Sequence, residues 1–115
     1  AKRIMPGTFG YAAAKQGVEA LSVCLAKELG QYGITVNTII PGPMDTDMLN
    51  NAIDQYSKHL SMEPEAFKNN VVLSNCIVKE PVQPKNCAEI VLFLCEDSAH
   101  SQTAGTYTID NGMTA

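Results

Sequence analysis

Apolar positions recur along residues 11–32 at a helical spacing. Ala14, Val18, Leu21, Leu25 and Leu29 follow one another at steps of four, three, four and four. A stripe with a period near 3.6 predicts an amphipathic helix, and Gly30 and Gly33 stand where such a helix ends. The residues before it, 1–10, carry Pro6, Gly7 and Gly10 and read as loop. Beyond the helix the pattern changes. "ITVNTII", 34–40, is rich in β-branched residues and stops at Pro41-Gly42-Pro43, which predicts a short buried parallel strand. Residues 45–81 are polar and helical in part. "TDMLNNAIDQYSKHL" offers Thr46 or Asp47 as N-cap, and "MEPEAFKNNVVLSNC" puts Pro64 and Glu65 in a first turn. Two short helices of modest order are expected there. "QPKNCAEIVLFLCED", 83–97, predicts a second strong helix, with Pro84 near its start and Ile90, Val91 and Leu94 on its apolar side. "TYTIDNG" predicts a last strand over 106–110, closed by Asn-Gly.

Helix, strand, helical excursion, helix, strand gives two parallel strands and little to pair with them. Parallel sheets are covered on both faces and rarely stand as two strands. The pattern therefore predicts an α/β fold that is one piece of a larger domain. The length, 115 residues, bounds the chain to one domain. The net charge of −4, from 8 basic and 12 acidic residues with no Lys/Arg cluster, argues against a nucleic-acid partner. No apolar run approaches the ~20 residues of a membrane span, so no membrane partner is expected. The N-terminus has no apolar region of a secretory signal. Cys24, Cys76, Cys87 and Cys95 form no CxxC pair, and His59 and His100 complete no zinc-ligand spacing with them, so no metal site is expected. Cys24 and Cys95 fall in apolar helical patterns and read as buried small hydrophobes, reduced as in a cytoplasmic protein. His59 and His100 read as solvated. Glu19, Lys27 and Glu28 read as an exposed helical face, and Tyr32, Tyr56 and Tyr107 as packing residues.

Candidate chemistry sits at the start of the first helix. Tyr11 and Lys15, four apart, share one helical face. A phenol of pKa ~10 is a poor base at neutral pH, and a nearby ammonium favours its ionised form. Such a phenol can pass a proton to or from an alcohol or ketone oxygen. That is the partner step of hydride transfer, for which a nicotinamide is the usual carrier. The same spacing also arises incidentally in helices.

The longer stretch "YAAAKQGVEALSVCLAKELGQYGITVNTIIPGPMDTDM" resembles the short-chain dehydrogenase/reductase family in order and spacing. The matched positions are Tyr11 and Lys15, then Leu25-Ala26-Lys27-Glu28-Leu29, Gly33, Ile34, Val36-Asn37, Pro41-Gly42 and Thr46. "PKNCAEIVLFLCEDSAHSQTAGTYTIDNG" is similar to that family's last helix and strand. The resemblance implies that residues 1–115 are the C-terminal portion of one NAD(P)-binding domain, a doubly wound Rossmann-type parallel sheet incomplete in this chain. Within it, 45–81 would be the mobile substrate-binding segment. Tyr11 would be the general acid/base, and Lys15 would tune it and bond the nicotinamide ribose. Pro41 and Gly42, the backbone of Met44, and Thr46 would complete the cofactor contacts for NAD or NADP. Met44, Met48 and Leu49 would line the pocket of an alcohol or carbonyl substrate, although methionine there serves equally as core filling. Assembly as a homodimer or homotetramer is implied.

Two departures from the family pattern stand out. Asp110-Asn111-Gly112 replaces the usual Asp-Gly-Gly; Asn tolerates left-handed backbone, so little effect is expected. The family's Gly-rich phosphate loop and its catalytic Asn and Ser have no counterpart here. Thr8 is not at the serine's spacing. The chain is expected to begin just after that serine and to be inactive by itself. Two other readings stay open: a non-catalytic fragment or degenerate member acting as a binding or assembly partner, and a helical scaffold in which the Tyr-Lys pair is incidental.

Overall fold

The computed structural model describes residues 9–115. The loop expected over 1–8, and Thr8 within it, lie outside the described residues. The chain forms two compact units, Ala1–Ile40 with Glu89–Thr108, and Pro41–Ala88 with Ile109–Ala115.

In the first unit, α1 spans Phe9–Leu29. It includes Phe9 and Gly10, which the sequence pattern reads as loop. A short 3-10 turn over Gly30–Tyr32 follows, and Gly33 closes it at φ 73°, donating its N–H to the Gly30 carbonyl at 3.0 Å. Both glycines stop the helix as expected. The stripe itself is only partly covered. Ala12 and Ala26 are buried, whereas Val18 and Leu21 are 53% and 57% exposed. Cys24 is exposed too, which corrects its reading as a buried residue. A helical stripe says that a face is apolar; cover needs a neighbouring element, and the described residues leave this part of α1 open. Tyr32, at 72% exposure, is likewise no packing residue.

The first strand, β1, spans Thr38–Pro41, shorter than the predicted 34–40. Side chains explain the late start. Val36 donates its N–H to Thr103 Oγ1 at 3.1 Å, and Asn37 spans the gap by donating Nδ2 to the Gln102 carbonyl at 2.8 Å and accepting the Gly105 N–H at 3.0 Å. The ladder begins one residue on, where Thr38 N–H meets the Gly105 carbonyl at 2.9 Å. The partner strand β2, Thr106–Ile109, runs parallel to β1 in a two-stranded sheet. Tyr107 donates its hydroxyl to Gln102 Oε1 at 2.9 Å and lies over Gly105, where a Cβ would stand 2.9 Å from its ring. The second long helix, α4, spans Pro84–Leu94. It is shorter than 83–97 because Asp97–Ala99 forms a separate 3-10 turn. Cys95, just beyond α4, is exposed, a second correction to the cysteine reading.

The second unit holds the helical excursion. Thr46 caps α2, Asp47–His59: its Oγ1 accepts the Leu49 N–H at 3.3 Å. Asp47 in the first turn and Lys58 and His59 in the last complement the helix dipole. Ser61, in left-handed backbone at φ 52°, turns the chain, and Met62 N–H returns to the Ser57 carbonyl at 2.8 Å. Pro64 opens α3, Pro64–Phe67, whose Phe67 stacks on Tyr56 with ring centroids 6.5 Å apart. A π-helical turn over Lys68–Val72 continues it, and Lys79 Nζ donates to the Leu73 and Ser74 carbonyls beyond its end. Residues 45–81 build a small core of their own. Every buried apolar side chain larger than alanine among the described residues lies here or just after it: Ile53, Phe67, Leu73, Cys76 and Val82.

Candidate functional site

Tyr11 and Lys15 occupy the first two turns of α1, one turn apart. The Lys15 ammonium stands 5.7 Å from the centre of the Tyr11 ring, within cation–π range. Tyr11 is 65% exposed and Lys15 is exposed as well. The adjacent Ala12 is buried. The helix thus presents an exposed phenol with a positive charge beside it on one face.

The Pro-Gly turn is built differently. Gly42 N–H donates to the Ile109 carbonyl at 2.9 Å. A Cβ at position 42 would stand 2.7 Å from Asp110 Cα. The close approach that only glycine allows is therefore to the protein's own backbone. Pro43 and Asp45 next engage Val82: Val82 N–H donates to the Pro43 carbonyl at 2.7 Å and Asp45 N–H to the Val82 carbonyl at 2.9 Å. In this parallel bridge the backbone N–H and C=O of Met44 itself point away from Val82. Thr46 Oγ1 donates weakly to the Met44 carbonyl at 3.4 Å while capping α2. The Asp45 carboxylate accepts from Asn50 Nδ2 and Gln83 Nε2 at 3.2 and 3.3 Å. The turn is thereby fixed at Gly42, Pro43, Asp45 and Thr46. Met44 and Leu49 are half-buried, and Met48, at 83% exposure, fills no core.

Sequence reasoning missed what Asp110 and Asn111 do. The Asp110 carboxylate, 8% exposed, accepts the Gly112 N–H on Oδ1 at 3.0 Å. Its Oδ2 accepts the Thr114 N–H and hydroxyl at 3.0 and 2.6 Å. Asn111 adopts left-handed backbone, φ 53°, as expected. Its carbonyl also accepts the Ile77 and Val78 N–H groups at 2.8 and 3.1 Å, and its Nδ2 donates to the Glu80 carbonyl at 2.7 Å. Asp followed two residues later by Gly is a turn signal legible in sequence; the stretch it grips is not. Among the described residues no three His, Cys, Asp or Glu side chains converge as metal ligands, and no helix is long and apolar enough to cross a membrane.

The chain is an incomplete Rossmann-type α/β fold, with a parallel sheet of two strands and a Pro-Gly turn at the end of β1. A family signature described as Enoyl-(Acyl carrier protein) reductase matches residues 1–114. The chain belongs to the short-chain dehydrogenase/reductase family. It is 35% identical over 107 residues to a 3-oxoacyl-(acyl-carrier-protein) reductase of Pseudomonas aeruginosa, covering 93% of this chain and 38% of that protein. A crystal structure of a short chain dehydrogenase family protein from Francisella tularensis superposes with a TM-score of 0.90 at 31% identity, over 96% of this chain and 46% of that one. The F189W actinorhodin polyketide ketoreductase, solved with NADPH, superposes with a TM-score of 0.87 at 28% identity, over 98% of this chain and 43% of that one. The chain thus spans less than half the length of each.

Proposed function

We propose that this chain is the C-terminal portion of an NAD(P)-dependent oxidoreductase that interconverts an alcohol and a ketone or aldehyde. The observation that carries the reading is the exposed Tyr11 phenol with the Lys15 ammonium beside it, in a chain of this family. A nicotinamide, NAD or NADP, supplies or accepts the hydride when bound. Tyr11 gives its proton to the carbonyl oxygen in reduction and takes it back in oxidation. Lys15 places positive charge beside the phenolate that proton transfer leaves, and also bonds the cofactor. The Met44 amide, which its bridge to Val82 does not use, and the Thr46 hydroxyl, which keeps an acceptor site beyond its capping bond, fit a polar cofactor. With Pro41 and Gly42 they would hold it. Met44, Met48 and Leu49 would face the substrate, and 45–81 would be the segment that selects it. Val91, Leu92 and Phe93, exposed along α4, support assembly into a homodimer or homotetramer. Four free cysteines fit a reducing, cytoplasmic setting.

The test uses the complete protein, assayed with NADH and NADPH against 3-oxoacyl thioesters and simple ketones and alcohols. Tyr11→Phe is expected to lower turnover by roughly 10²–10⁴-fold with cofactor affinity nearly intact. Lys15→Met is expected to damage both. A Tyr11→Phe enzyme with wild-type turnover would overturn the assignment. Cofactor binding without turnover of any such substrate would favour the non-catalytic partner instead. Residues 1–115 alone are expected to show no dinucleotide binding by calorimetry.

A further inference from the structure

We infer that Asn111 is a positioning residue, whose side-chain amide latches residues 77–80 to the turn after β2 and so fixes the closing end of the substrate segment. The inference rests on the proposed role of 45–81. Ile77 and Val78 are 71% and 49% exposed, so burial does not hold them. Backbone bonds do. Both N–H groups end on the Asn111 carbonyl, and Asn111 Nδ2 reaches the Glu80 carbonyl at 2.7 Å. The Ile77 side chain lies over Gly112, where a Cβ would stand 2.7 Å from its Cδ1. Two residues beyond Glu80, Val82 is bonded to Pro43 and Asp45. Residues 77–82 are thus tied to the turn after β2 on one side and to the turn carrying Met44 on the other. Asp110 supports the latch, its buried carboxylate folding the turn through Gly112 and Thr114.

The chemistry of position 111 makes the latch separable from the turn. A glycine there takes the same left-handed backbone and keeps the carbonyl bonds, losing only the bond to Glu80. An aspartate keeps the side chain's size but turns a carboxylate oxygen toward the Glu80 carbonyl, replacing attraction by repulsion.

The complete protein and its Asn111→Gly and Asn111→Asp variants are compared first by hydrogen exchange without cofactor or substrate. Asn111→Gly is expected to speed exchange across residues 77–82 about fivefold, as loss of one ordinary hydrogen bond would, and Asn111→Asp more. In turnover, Asn111→Gly is expected to raise KM for the carbonyl substrate about threefold or more, with kcat and cofactor KM within about twofold of wild type. Unchanged exchange, or an Asn111→Asp variant no worse than Asn111→Gly, would overturn the latch. Faster exchange with an unchanged KM would overturn its positioning role. Absence of nicotinamide-dependent turnover in the wild type would overturn the oxidoreductase reading, and the exchange experiment would still decide the latch.

Discussion

The apolar stripe of α1 is the clearest in the chain, yet Val18 and Leu21 on it are more than half exposed. Between positions 53 and 82 the pattern is weaker and more polar, yet Leu73 and Ser57 are 1% and 0% exposed. Periodicity records the apolar face a segment offers; burial requires something to receive it. The second region supplies its own receiver. Ser61 turns α2 back, Phe67 stacks on Tyr56, and the π turn brings Leu73 inward, so cover comes from residues close in sequence. α1 is a single helix of 21 residues, roughly 30 Å long, and cannot fold back on itself. The same difference separates the exposed Tyr-Lys pair of α1 from the large buried side chains of the later region.

The sharpest way to break the contrast is to truncate one large apolar side chain in each region. Leu73→Ala is expected to cost about 2–5 kcal/mol, the range for emptying a packed site. Leu21→Ala in the same 115-residue chain is expected to stay within about 0.5 kcal/mol. Urea denaturation measures both, and equal losses would mean that α1 finds cover in solution. Gly42→Ala comes next, at about 1–3 kcal/mol, because its new Cβ meets Asp110 backbone that has little freedom to move. A thermal melt of that variant indistinguishable from wild type would show that the end of β1 can shift.

Thr46→Ala is expected to cost about 1 kcal/mol through loss of the α2 cap, with Thr46→Ser restoring most of it. Titrating both variants of the complete protein with cofactor separates the cap from any cofactor contact; Thr46→Ala with wild-type affinity would leave only the cap. The mildest probe is alkylation of the thiols. Cys24 and Cys95 are exposed and expected to react first, while buried Cys76 is expected to be protected. Burial pushes the Cys87 thiol above its usual range, so less of it is thiolate at any pH below that value. Its alkylation is therefore expected to lag and to accelerate as pH rises. Mass spectrometry of timed digests reads the order, and a Cys87 as fast as Cys24 would contradict its burial.

The sequence by itself determined much of this protein. The repeat of Val18, Leu21 and Leu25 specified a helix, Gly33 its left-handed stop, Thr46 the cap of α2 and Pro64 the start of α3, because each depends on interactions within a few residues. The i, i+4 spacing likewise put Tyr11 and Lys15 on one face. Tertiary structure decided what depends on distant partners. It shortened the first strand to Thr38–Pro41, since Asn37 and Thr103 take the bonds that ladder rungs would otherwise make. It left Cys24 and Cys95 exposed on apolar patterns and gathered the large buried side chains into a stretch whose pattern reads as polar. It also gave Gly42 its reason in Asp110 and gave Asn111 a grip on residues 77–80, across more than thirty positions of chain. A hydrogen bond between such distant residues leaves no period in a sequence, because neither partner's neighbours carry the information about the other.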